Sequence, residues 1–309
     1  MTNVKKLGLT ALAGSLVATS GYAGALDVTG TAKVTYVSQD ESEVTGNPYS
    51  MSQGMGFSGS GDLDVGTLSY TYSATNMAFS SSNLKLDMGD NGTLSFANGA
   101  SLTGMQAYYD KMPTAGEQVW DDLDGQANGI ATMSTTNTLG YSNTFMGIGI
   151  SAAYNKDAGA ATEGSSKSLA ITSSDMIDGA EIGFAHADVS GSTDNNGTDS
   201  DTLYVTYTAG SVTMGAQLTQ IDKSAANSDV DRTHAAVSIA VNENLSVSLG
   251  QSIVEFESSS KDDQENVGIA FSYTMGSMTI AGFQNSEDNS GGTQGTDDSV
   301  TELSVAFAF

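Results

Sequence analysis

Apolar and polar residues alternate one for one along most of the chain. The last segment is the clearest: Leu303, Val305, Phe307 and Phe309 fall on one face, and Glu302, Ser304, Ala306 and Ala308 on the other. A period of two is that of a β-strand, whose successive side chains point to opposite sides. The same alternation sets Leu203, Val205 and Tyr207 against Tyr204, Thr206 and Thr208, and Ala235, Val237, Ile239 and Val241 against His234, Ala236, Ser238 and Ala240. It returns at Leu245, Val247 and Leu249 and at Val267, Ile269, Phe271 and Tyr273, while no long window carries a helical period. The pattern predicts about sixteen strands, beginning near Leu26, Ser50, Asp64, Ser82, Gly92, Ser134, Met146, Ser166, Ala180, Ser200, Ser211, Val230, Leu245, Asp262, Met278 and Ser299.

The connections between these strands are expected to alternate strictly in length. Tight turns follow the even-numbered strands, at Gly61-Asp62-Leu63, Gly89 to Gly92, Asn143-Thr144-Phe145, Asp178-Gly179, Ala209-Gly210, Asn242 to Asn244 and Gly276-Ser277. Longer polar stretches follow the odd-numbered ones, among them Gln39 to Pro48, Val189 to Thr198, Asp222 to Asp229 and Asn285 to Asp298. All tight ends then lie on one side. Greek-key crossovers in a soluble sandwich give no reason for that regularity. An all-β, transmembrane, antiparallel up-and-down β-barrel does, with short turns on the periplasmic side and long loops outside. Closure leaves no unpaired strand edge in lipid, and a barrel of about sixteen strands is too wide for side chains to fill. Its lumen is therefore expected to be an aqueous channel.

Two segments stand outside the alternation. The first, MTNVKKLGLTALAGSLVATSGYAGA, has Lys5 and Lys6, an apolar stretch from Leu7 to Ala18, and small residues around Tyr22. It reads as an export signal peptide, residues 1–23, with cleavage after Ala23 or Ala25, and the barrel domain is 24–309. The second is the connection from Gly99 to Met133, far longer than an unstructured loop in a compact domain usually is. It holds the single Trp, Trp120, beside Tyr108, Tyr109 and the acids Asp110, Glu117, Asp121, Asp122 and Asp124.

Composition narrows the chemistry. The 309 residues carry 36 Asp and Glu against 10 Lys and Arg, a net charge of −26, which removal of a leader with two Lys and no acid takes to −28. Such a surface repels a phosphate backbone, so nucleic acid is excluded as a partner. With no Cys, and with His186 and His234 as the only histidines, the chain has no thiolate metal site and no evident Ser-His-Asp set, so no enzymatic role is expected. Clustered carboxylates in a confined pore raise the local cation concentration, so the loop acids predict cation preference. Asp121, Asp122 and Asp124 also have the oxygen chemistry for Ca²⁺, although no EF-hand spacing is present. The aromatics Tyr36, Phe57, Tyr70, Tyr72, Phe96, Tyr154, Phe256 and Tyr273 are assigned to interfacial girdles.

The leader, the opening strand Leu26-Asp27-Val28-Thr29-Gly30, the alternating hairpins and the terminal Phe309 together resemble the general bacterial porins, in particular the trimeric sixteen-stranded type of alphaproteobacteria. The resemblance implies an outer-membrane homotrimer for passive diffusion of small hydrophilic solutes and ions. It also implies that Phe309, with Phe307 before it, is the signal read by the barrel-assembly machinery. In that family the loop after the fifth strand folds inward, its acids facing a basic wall, and the segment from Gly99 to Met133 sits in that position. Here the basic wall is thin: Arg232 is the single Arg, and strand parity leaves Lys33 and Lys85 as its candidates. A rival reading, a surface adhesin or structural β-solenoid, requires a short fixed repeat that the sequence lacks.

Overall fold

The computed structural model describes residues 26–39, 46–99, 103–109, 111–124, 136–157, 164–190 and 197–309. The leader and Asp110 lie outside these residues. Among the described residues the strands are β1 (Asp27–Gln39), β2 (Tyr49–Leu63), β3 (Gly66–Thr75), β4 (Ala78–Asp87), β5 (Thr93–Asn98), β6 (Thr138–Phe145), β7 (Ile148–Asp157), β8 (Gly164–Ser173), β9 (Ala180–Val189), β10 (Thr198–Ala209), β11 (Val212–Lys223), β12 (Val230–Ala240), β13 (Leu245–Phe256), β14 (Gln264–Met275), β15 (Met278–Asp288) and β16 (Asp298–Ala308).

Each strand pairs antiparallel with its sequence neighbours, and β16 returns to β1, closing a sixteen-stranded barrel. The closing register runs from Thr31 opposite Ala308 to Gln39 opposite Val300. Phe309 continues it: its N–H donates to Gly30 O at 2.8 Å, and Gly30 N–H returns the bond to Phe309 O at 3.2 Å.

The alternation sorts outside from inside. Leu249, Ile269 and Leu303 are 54%, 56% and 48% exposed on the outer face, where lipid takes the place of a protein core. Ser248, Ala270 and Glu302, their neighbours in sequence, are buried within the barrel. Tyr36 packs on Tyr49, and Phe57, Tyr72 and Phe79 form a chain of ring contacts, all on strands that begin the barrel.

Several expectations need correction. The connection after β3 is not long: Asn76 and Met77, both at positive φ, make a two-residue turn, so the length alternation is not strict. Paired left-handed residues match the twist of the flanking strands, and the amide of Asn76 adds a tie by accepting from Gln53 N–H at 3.0 Å. The turn expected at Gly61-Asp62-Leu63 forms at Asp64-Val65, because those three residues stay in the ladder opposite Gly66, Thr67 and Leu68. Gly66 follows at φ 145°, where a Cβ would run into Asp87 O. The turn expected at Asn143-Thr144-Phe145 forms at Met146-Gly147, both at positive φ, while Asn143 reaches sideways to Asp90 O and Tyr141 Oη. Phe256 belongs to no outer girdle; it packs inside with Ile221, Val230 and Val254, under the Lys261 ammonium.

Leu249→Arg, which sets a charge in the lipid-facing band, is expected to destabilise the barrel by about 2–4 kcal/mol. Denaturant unfolding in lipid vesicles, followed by heat-modifiable migration on gels, measures it, and equal stability would contradict the lipid-facing assignment.

Candidate functional site: a loop folded along one half of the lumen

The chain leaves β5 through Gly99, at φ 85°, where a Cβ would run into Ser80 O. It re-enters the barrel as a short 3-10 turn, Gly104–Tyr108. From there it crosses the inner wall strand by strand, and at each crossing a wall side chain satisfies a loop backbone group. Gly104 N–H donates to Ser151 Oγ on β7 at 2.8 Å, and Met105 N–H to Ser168 Oγ on β8 at 3.1 Å. Tyr108 bonds Thr172 of β8 through its hydroxyl at 2.6 Å, and its carbonyl accepts from Gln217 of β11 at 3.2 Å. Ala115 N–H donates to Ser248 Oγ on β13 at 2.9 Å. Asn285 of β15 donates to the carbonyls of Gln118 and Asp121, at 2.8 and 3.1 Å. At the far end Asp124 N–H donates to Asp298 of β16 at 2.8 Å, and Gln39 of β1 donates to Asp122 O at 3.0 Å.

Small residues make room for this strap. Ala153, Ala170, Ala185 and Ala187 form a buried cluster with Met105, Tyr108, Met112 and Tyr204. Gly250 and Gly268 lie under Val119: a Cβ on them would approach Val119 Cγ1 to 2.8 and 3.0 Å. Trp120 is buried with its ring edge-on to His234 of β12, centroids 4.7 Å apart, and Leu123 packs on Ala270, Phe283 and Val300. The described part of the loop lies along β7 to β16, and the inner faces of β1 to β5 make up the rest of the wall together with β6. Those faces carry mainly hydroxyls, with hydrogen-bonded pairs Thr35 with Ser50 and Ser73 with Ser81.

The acids sit in different surroundings. Glu117 is half-exposed on the loop, with Oε1 3.9 Å from Lys33 Nζ. Burial, and then the negative charge of Asp121, hold its carboxyl above the usual glutamate range, against a smaller opposite pull from Lys33. Asp121 turns back to accept from Gln118 N–H at 2.6 Å, whereas Asp122, at φ 60°, and Asp124 are exposed. Among the described residues no group of three or more acids and histidines is arranged to hold a metal ion. On the wall, Lys33 pairs with Glu302 of β16 at 2.7 Å. Lys85 lies on the inner face of β4, and no carboxylate among the described residues pairs with it. Arg232 is buried behind the loop on β12.

Two participants escaped the sequence reading. Lys111, a base inside the acidic loop, pairs with Glu181 of β9 at 2.9 Å, and its ammonium lies 5.0 Å from the centre of the Tyr204 ring. Tyr204 donates to the same carboxylate at 2.6 Å and stands T-shaped against Tyr108, 4.7 Å away. A signal was present: Gly183, Ala185 and Ala187 alternate on the inner face of β9, and a side chain at Gly183 would displace the Tyr204 ring. Runs of small inward residues mark where the loop lies.

A closed sixteen-stranded barrel narrowed by its own loop is joined by a family match: residues 8–307 fit the Gram-negative porin model. The chain belongs to the Gram-negative porin family. Among solved structures similar to this porin is a porin refined at 1.8 Å resolution, 17% identical with a TM-score of 0.69, covering 92% of this chain and 100% of that one. The anion-selective porin of Comamonas acidovorans is 14% identical with a TM-score of 0.69, covering 92% and 99%. OmpT of Vibrio cholerae is 11% identical with a TM-score of 0.67, covering 93% and 98%. At such identities the likeness is one of fold. No curated protein matches the chain in sequence. Family and barrel make this porin an outer-membrane channel.

Replacing Asn285 by Leu removes the two hydrogen bonds that tie the Gln118 and Asp121 carbonyls to β15, at about 0.5–1.5 kcal/mol each. The expected outcome is a several-fold rise in single-channel current noise with the barrel still folded; a current as quiet as the wild type's would contradict the anchoring role.

Proposed function

We propose that this porin is a cation-preferring diffusion channel for small hydrophilic solutes and ions, exported by its leader, inserted through the aromatic end Phe307 and Phe309, and assembled as a homotrimer. The observation that carries the cation preference is an imbalance of free charge in the lumen. The exposed carboxylates of Glu117, Asp122 and Asp124 face few bases that are not already committed: Lys33 is held by Glu302, and Lys111 by Glu181. Carboxylates lining a confined pore concentrate cations and exclude anions without any chemical step. The porin of Comamonas acidovorans has a similar barrel and is anion-selective, so the sign of selectivity is set by lining residues such as these and not by the fold.

In planar bilayers under a KCl gradient, the reversal potential is expected to favour K⁺ over Cl⁻. Changing Asp121, Asp122 and Asp124 together to Asn should weaken that preference several-fold, and an unchanged potential would place selectivity elsewhere.

The preference should also fall as the pH drops, and part of that fall belongs to Glu117: burial and then the Asp121 charge hold its carboxyl above the usual glutamate range, so it takes up its proton at a higher pH than an ordinary glutamate. In Glu117→Gln that part of the fall is expected to disappear; a pH dependence unchanged from the wild type's would contradict this.

A further inference from the structure

At the root of the loop, the inner faces of β3 to β6 bring polar side chains together by register. Ser69, Lys85 and Ser95 face one another across β3, β4 and β5. In the next row Asp87, Thr93 and Ser142 do so across β4, β5 and β6. The partner of Ser95 on β6 is Gly140, where a Cβ would run into Ser95 Oγ and Thr103 Oγ1. That glycine lets Thr103, on the descending loop, settle onto the wall and close the space. The result is a cavity of about 270 Å³ to which every described lining residue brings a polar side chain. It lies just under the ~300 Å³ at which small-molecule pockets usually begin, a size suited to one sugar ring and not to a chain of them.

Two groups in it have unused capacity. Lys85 has no carboxylate partner among the described residues. Asp87 uses one oxygen, Oδ1, to accept from Gly89 N–H at 3.0 Å. Asp87 therefore calls for donors, Lys85 for acceptors, and the surrounding hydroxyls for either. An anion would meet the Asp87 charge and a cation the Lys85 charge, whereas a hydroxyl group both donates and accepts.

We propose that this cavity is a binding subsite for a neutral, polyhydroxylated solute of monosaccharide size, beside the path through the channel. The inference rests on the porin reading above and adds a solute class to it. With no aromatic platform among its described lining residues, the subsite holds its ligand weakly and releases it, as passage requires.

The test uses the full-length porin in planar bilayers in KCl, with D-glucose as probe, glycine as a zwitterionic probe, and a dextran too large to enter as viscosity control. Glucose is expected to lower the current saturably, with half-saturation on the order of millimolar, as suits a weak transient site. Lys85→Met and Asp87→Asn should each raise that concentration about five- to tenfold, the loss of roughly one hydrogen bond. Asp87→Asn keeps the side-chain shape, so it carries the test if Lys85→Met fails to show heat-modifiable migration. A non-saturating fall equal to that with dextran, the same half-saturation in the variants, or saturation by glycine and not glucose would overturn the proposal while the KCl current leaves the channel standing. Absence of any KCl current in the wild type would overturn both.

Discussion

Inside a bilayer no water is available to satisfy an exposed N–H or C=O, and each one left open costs several kcal/mol. The pairing of β16 with β1 meets that demand at the two strands that would otherwise be edges. The other features follow from it. A closed ladder of sixteen strands turns one face of every strand to lipid and the other to water, so half of each strand needs to be apolar and no cysteine is needed to hold it. The modest apolar fraction of the chain, 39%, is what such a division requires.

The wide lumen creates a second problem, since strands alone cannot narrow it. The connection after β5 meets this by lying along the wall from β7 to β16, with its backbone groups taken up by Ser151, Ser168, Gln217, Ser248 and Asn285. Alanines and glycines beneath it supply the depth. The outcome is an asymmetric pore: loop and carboxylates on one side, a hydroxyl wall with Lys33 and Lys85 on the other. Lys33 is paired with Glu302 and Lys111 with Glu181, so two of the bases near the loop are committed to wall carboxylates.

Much of this was legible in the residues, because a period of two needs only side-chain polarity to be read. Strand β9, β12, β13 and β15 begin where alternation places them, at Ala180, Val230, Leu245 and Met278. The turns at Leu63 and Phe145 were misplaced because polar residues inside a strand, Asp62 and Asn143, look like turn formers when their cross-strand partners are unseen. Aromaticity alone points Phe256 to the outer girdle, whereas parity along β13 turns it inward. Its neighbour Val254 is fully buried, so parity was the better guide. The loop's acids were visible, but not which of them would be tied: the turning back of Asp121 to Gln118 and the capture of Lys111 by Glu181 depend on folding across the lumen. Long-range pairings of that kind leave no periodic trace.

Passage through the pore requires the loop to be fixed to the far wall while the channel stays open beside it. The absence of cysteine from the chain makes that directly measurable. Cysteines placed at Ala115 and Ser248, where the amide and hydroxyl are 2.9 Å apart, are expected to form a disulfide in the folded barrel and to leave the single-channel KCl conductance close to its wild-type value. A pair that does not cross-link, or a cross-link that closes the channel, would contradict the account.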